Sequence, residues 1–180
     1  MNQGEGDVVE HTQDILQALR RRAMPVGIVG AASGGERSCA TGTQSYVSLR
    51  PPMIATSLAL SSRTYELAHE VGFFSVSVLR DEQAGLAVPA AEKATTKDKF
   101  GESNLDSQQW HNVPALADCG AVLWCSLEQQ HPVGNYVLCV GRIVKATLGT
   151  NRADSLIRFG GRYHAMGDPL DVAGESPYPL

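Results

Sequence analysis

With 180 residues, 43% of them hydrophobic and 19% charged, the chain has the composition of one ordinary globular domain, which excludes disorder and a fibrous repeat. A formal net charge of -4, with basic clustering confined to Arg20-Arg21-Arg22, argues against an extended nucleic-acid face. The acidic, polar Met1 to Asp7 stretch lacks the pattern of a secretory leader and no apolar run is long enough to span a bilayer, so a cytoplasmic protein with no membrane partner is expected.

Residues 8–22 carry Val8, Ile15, Leu16 and Leu19 at helical spacing and stop before Pro25, which predicts an amphipathic opening helix packed on the rest of the fold. The period then changes to that of strands. Val26 to Ala32 is short, apolar and rich in β-branched residues, and Gly34-Gly35 turns it into a second strand from Cys39 to Leu49. Pro51-Pro52 interrupts, because proline cannot donate to a ladder, and Met53 to Leu60 resumes as a third strand. Ser61-Ser62-Arg63-Thr64 leads into a short helix, Tyr65 to Val71, which Gly72 releases into a strand from Phe73 to Leu79. A further helix is expected over 81–88, then a long irregular excursion over 89–112 carrying Lys97, Lys99 and Phe100. Strands over 121–129, 135–147 and 155–163 follow, and the proline-rich residues 167–180 form a tail.

About seven strands with antiparallel-length connections favour a mainly β barrel, with 1–22 as the opening helix and 23–166 as the domain proper. The four cysteines lack C-x-x-C spacing and mostly sit in apolar runs, so buried free thiols are expected and no metal site. Neither a G-x-G-x-x-G turn nor a P-loop is present.

Two segments can carry chemistry. Ser61-Ser62-Arg63-Thr64 stands between a strand and a helix start, where free N–H groups, hydroxyls and a guanidinium converge on an anion; a plain helix cap with a solvated arginine is the alternative. Thr41-Gly42-Thr43-Gln44-Ser45 is a polar stretch inside a strand where backbone can approach a flat ligand, although threonine is also simply a good strand former.

Taken in order, Ala23-Met24-Pro25-Val26-Gly27-Ile28-Val29, Tyr46 to Pro52, Ser61 to Thr64, Gly72 to Leu79, Lys99-Phe100, Val113 to Leu116, Cys125, Val140 to Ile143 and Phe159-Gly160-Gly161-Arg162-Tyr163 resemble the flavin-reductase-like, FMN-binding split-barrel family, in particular the short-chain reductase components of two-component monooxygenases. The resemblance covers about four fifths of the chain. It implies a homodimer of split barrels that binds FMN or FAD, takes electrons from NAD(P)H and supplies reduced flavin to a partner monooxygenase. By position, Thr41, Gly42, Thr43 and Gln44 would line the isoalloxazine and ribityl chain, Ser61, Ser62, Arg63 and Thr64 would hold the phosphate, and Lys99, Phe100, Arg162 and Tyr163 would lie near the cofactor.

The chain departs from the family pattern where many members carry Gly-Asp-His. Here Gly134-Asn135-Tyr136 stands in its place, so Tyr136 becomes the candidate for stacking a nicotinamide or adenine, with His131 and His164, which lie close in sequence to matching regions, as histidines that could compensate. That departure keeps open a flavin-retaining enzyme acting on an organic substrate, and a non-catalytic split barrel that binds flavin or haem.

Overall fold

The computed structural model describes residues 4–103, 105, 107–150 and 155–168, with side chains described from Thr12 onward. The opening helix, α1 (Gly4–Arg20), is followed by β1 (Met24–Ser33), β2 (Glu36–Leu49) and β3 (Pro52–Ala59), then α2 (Arg63–Val71) and β4 (Phe73–Val78). A 3-10 turn (Asp81–Gln83) leads into α3 (Ala84–Ala91), and α4 (Lys99–Glu102) precedes the short hairpin β5 (Ser107–Trp110) and β6 (Val113–Leu116). Two long strands, β7 (Ala121–Val133) and β8 (Tyr136–Leu148), and a second short hairpin, β9 (Ile157–Phe159) and β10 (Arg162–His164), complete the described chain.

Six strands close a barrel. Hydrogen bonding runs β1-β2-β3-β8-β7-β4, every pair antiparallel, and β4 returns to β1 through Gly27↔Val78 to Gly30↔Ser75. Closure leaves no free edge within the barrel. The expected mainly β split barrel is therefore the observed fold.

Strand β1 has apolar residues on both faces because both are covered. Alternation sends Val29 and Ala31 to one core with Ile54, Leu58, Phe74, Val76, Cys125, Val137 and Cys139, residues drawn from around the barrel wall, and α2 adds Leu67 and Ala68. Val26 and Ile28 point the other way, into a core with Phe100, Leu105, Leu116, Val122, Trp124 and Leu156. The β5-β6 hairpin is tied over this second core by two buried serines of β4: Ser75 Oγ donates to Pro114 O at 2.5 Å, and Ser77 Oγ accepts from Leu116 N at 3.0 Å. Close contact demands glycine here. A Cβ on Gly30 would lie 2.2 Å from Pro114 O and 3.2 Å from Phe100 Cζ.

Three expectations need correction. Ile15, Leu16 and Leu19 of α1 are about half exposed, so these three residues of the expected stripe are not buried on this chain's own barrel. The excursion over 89–112 is more ordered than expected, since it holds the end of α3, α4 and β5. The strand expected over 155–163 is instead two three-residue strands, because Gly160 and Gly161 take φ of 60° and 80° and reverse the chain. The tail over 167–180 lies outside the described residues apart from Gly167 and Asp168. All four cysteines are buried free thiols, and burial pushes Cys125 up to about 12 and the others to about 11. No described helix is long and apolar enough to cross a membrane.

Candidate flavin site

A cleft of about 930 Å³ opens at the end of the barrel where β3 passes into α2. One wall is the face of β2 that carries Glu36, Ser38 and Ala40, with Thr41 beside them. The floor is Ser57 to Ala59 and the Ser61 to Thr64 turn. The opposite wall is the segment from Ala91 to Lys97, with Lys99, and Tyr136 of β8 stands at the rim. The volume suits a small cofactor.

Local sequence explains the turn. Ser62 N donates to Ala59 O at 2.9 Å, which closes a tight turn at the end of β3, and Ser62 then takes the extended conformation of a helix N-cap. Its hydroxyl makes no capping bond, so the first-turn N–H groups of α2 keep no side-chain acceptor, at a helix end whose residues Ser61, Ser62 and Arg63 line the cleft. These are the donors a phosphate requires, and four cations (Arg63, Lys93, Lys97, Lys99) against two carboxylates (Glu36, Glu92) keep the cleft's charge positive. The fit to the phosphate of a flavin is good on the chemistry of the donor set alone.

Arg63 is engaged already. Its Nε and Nη2 donate to the two carboxylate oxygens of Glu36 at 2.9 and 2.6 Å, and Nη1 donates to Glu66 at 2.8 Å. These bonds hold Glu36 below the usual carboxylate range and push the guanidinium further up. Thr64, although it lines the cleft, is buried, and its hydroxyl is shared with Ser38 Oγ at 3.0 Å.

Tyr136 reaches the cleft because β8 pairs with β3 through Ala59↔Tyr136, while Leu60 N donates to Asn135 O at 3.0 Å. The turn after β3 and the start of β8 are thereby brought together. Lys99 also borders the cleft, but its ammonium is buried and donates to Cys39 O at 2.8 Å and Ala90 O at 2.7 Å. Burial lowers its affinity for a proton, and its work is to pin α3 to β2.

Several expected contacts lie elsewhere. Phe100 is fully buried in the core shared with Trp124 and is not among the residues lining the cleft. Gly42 faces Thr56 and Val29, the Thr43 carbonyl accepts from Thr56 Oγ1 at 3.3 Å, and the Gln44 amide folds back to donate to Gly42 O at 2.5 Å. None of these three borders the cleft, whereas Thr41 does, with its hydroxyl on Ala87 O at 2.5 Å. Arg162, Tyr163 and His164 lie on β10, which pairs with β9 and through it reaches the first residues of β1; Tyr163 packs against the second core, and none of the three lines the cleft of its own chain. His131 sits exposed on β7 beside Gln129. Conversely, Glu36, Lys93, Thr95, Thr96 and Lys97 line the cleft without having been singled out as cofactor contacts; the only hint was that loops as long as 89–112 are usually functional.

The wall over 95–98 is held by carboxylates. Glu102 accepts from the N–H and hydroxyl groups of Thr95 and Thr96, and Asp98 accepts from Arg37 Nη2 at 2.5 Å and caps α4 through Gly101 N. The Arg37 bond holds Asp98 below its ordinary 3.8, as the Arg80 bond does Asp118. A carboxyl whose folded value is depressed contributes stability that is complete above the ordinary value and is lost as pH falls through the folded one. The melting temperature should therefore hold from pH 7 to about 5 and drop below about pH 4. A melting temperature that fell between pH 7 and 5 would show that other groups govern the acid limit.

The chain is similar to several known proteins. An NADH-dependent FMN reductase of Streptomyces nodosus subsp. asukaensis is 29% identical over 156 residues, spanning 83% of this chain and 84% of that protein. The reductase component of 4-hydroxyphenylacetate 3-monooxygenase from Thermus thermophilus is 28% identical over 134 residues, 74% of this chain and 83% of its own. Nitrilotriacetate monooxygenase component B from Mycobacterium thermoresistibile superposes with a TM-score of 0.82 over 94% of this chain and 95% of that one, a likeness of fold at 16% identity. The flavin reductase like domain matches residues 19–167, from the end of α1 through every strand of the barrel, and the chain belongs to that family.

Proposed function

We propose that the protein is an NAD(P)H:flavin oxidoreductase, which takes NADH as its donor by analogy with its relatives and passes reduced FMN or FAD to a partner monooxygenase. The observation that carries this reading is the uncapped start of α2, opening with Arg63 onto a cleft large enough for a flavin. A flavin bound there supplies the acceptor for a hydride from the nicotinamide.

The chain's own residues act by placement. The first-turn N–H groups of α2, with Ser61, Ser62 and Arg63, hold the phosphate end. Thr41 borders the ring side, and Tyr136 at the rim offers a flat face against which a nicotinamide or adenine stacks. Among the described residues no histidine lines the cleft, and hydride transfer between two stacked rings needs no acid-base pair; holding them in contact geometry accounts for the rate.

A homodimer belongs to the same proposal. Tyr46, Val47 and Leu49 on β2 and Val144 on β8 are exposed apolar residues that a second copy would cover, and Arg162, Tyr163 and His164 would then be available to its cleft. Anaerobic mixing of the flavin-loaded protein with NADH should bleach the flavin absorption at neutral pH. Failure of both NADH and NADPH to do so would reject the activity, and a sedimentation mass of 19.2 kDa would reject the dimer.

A further inference from the structure

The edge of Arg63 best suited to a phosphate is filled by the protein itself. A guanidinium binds carboxylates and phosphates bidentately through two adjacent N–H groups, and on Arg63 the Nε–Nη2 edge is taken by both oxygens of Glu36. Glu66 takes only Nη1. The two carboxylates differ in position as well. Glu36 lines the cleft and its side chain is 19% exposed, whereas Glu66 is 52% exposed and outside the lining. Glu36 owes its place to the β1-β2 hairpin, where Gly34 and Gly35, at φ of 57° and 80°, set Ser33 opposite Glu36 and leave the latter on the cleft face of β2.

A phosphate approaching this edge meets an anion with the same acceptor pattern. Binding is then an exchange in which Arg63 changes partners, and the net gain is the difference between two charge-assisted pairs rather than the whole of one. Displaced, Glu36 also stands in the cleft as a like charge to the phosphate, partly offset by Lys97, whose charge favours the ionised carboxylate.

We propose that Glu36 is a specificity-determining residue that competes with the flavin phosphate for Arg63. It holds down the affinity for phosphorylated flavins and recovers the guanidinium as the flavin leaves, which suits a protein that hands its flavin on. The inference rests on the assignment of the Ser61 to Thr64 turn as the phosphate site.

FMN and riboflavin, which share the ring and differ in the phosphate, are titrated by fluorescence quenching against the full-length protein and three variants. Glu36→Gln should lower the Kd for FMN about fivefold, the scale on which a partly exposed ion pair acts, and leave riboflavin unchanged. Glu66→Gln, which removes the same charge from outside the cleft, should move the FMN value by less than about twofold. Equal tightening of FMN and riboflavin, or equal effects of the two glutamines, would overturn the competition. So would an unchanged FMN Kd in Glu36→Gln when Arg63→Ala weakens FMN, a result that leaves the phosphate site standing. An Arg63→Ala protein with unchanged FMN affinity removes the phosphate site and the competition together.

Discussion

Phe100→Ala should destabilise the protein by about 3–5 kcal/mol and lower its melting temperature by roughly 10 °C, while changing flavin affinity little in whatever fraction remains folded. Phe100 has no exposed surface and packs in the core with Leu105, Leu116 and Trp124, and the Arg37 guanidinium lies 6.0 Å from its ring centroid. Gly30, directly against the ring, has no side chain with which to fill the space, so truncation leaves a cavity rather than a relaxed contact. The family resemblance would have the ring beside the cofactor, and that assignment makes the opposite prediction. A thermal melt and an FMN titration on one preparation separate them: an unchanged melting temperature with weakened binding would return Phe100 to the flavin.

Arg63→Ala should raise the KM for FMN about tenfold and leave kcat at saturating FMN nearly unchanged, because a phosphate contact far from the reacting ring binds ground and transition states alike. Riboflavin, lacking the phosphate, should show the same KM with either protein. The expected effect stays near tenfold, short of the most that charge-assisted bonds allow, since Glu36 already holds the guanidinium and the first-turn N–H groups of α2 remain. The variant should fold, as the side chain is 43% exposed and its partners are one partly buried and one exposed carboxylate outside the core. A fall in kcat without a change in KM would mean that Arg63 faces the chemistry instead of the phosphate.

What could be read from the chain alone was what adjacent residues decide. The two-sided apolar run of β1, the Gly34-Gly35 turn, the helix start after Ser61 and the burial of all four thiols each follow from local composition and period, and each is present in the fold. The β5-β6 hairpin had no such signal. Its turn uses His111 and Asn112 at φ of 50° and 63°, and the local strain cost is offset by packing that residue type does not announce, the His111 ring lying against Phe73 and Trp110.

The site divides in the same way. Its helix-start turn is a contiguous tetrapeptide and was legible; the partners of its charges were not, because Glu36 and Arg63 are 27 residues apart and Lys99 and Cys39 are 60 apart. Residue type alone offers a lysine beside a phenylalanine as cofactor contacts. Barrel closure instead turns one onto two carbonyls and the other into the core, since burying an ammonium demands acceptors and burying a ring demands neighbours. Sequence by itself singled out a turn of anion-binding residue types; the tertiary structure decided that a carboxylate, Glu36, holds its arginine, because long-range strand pairing sets which side chains share a cleft.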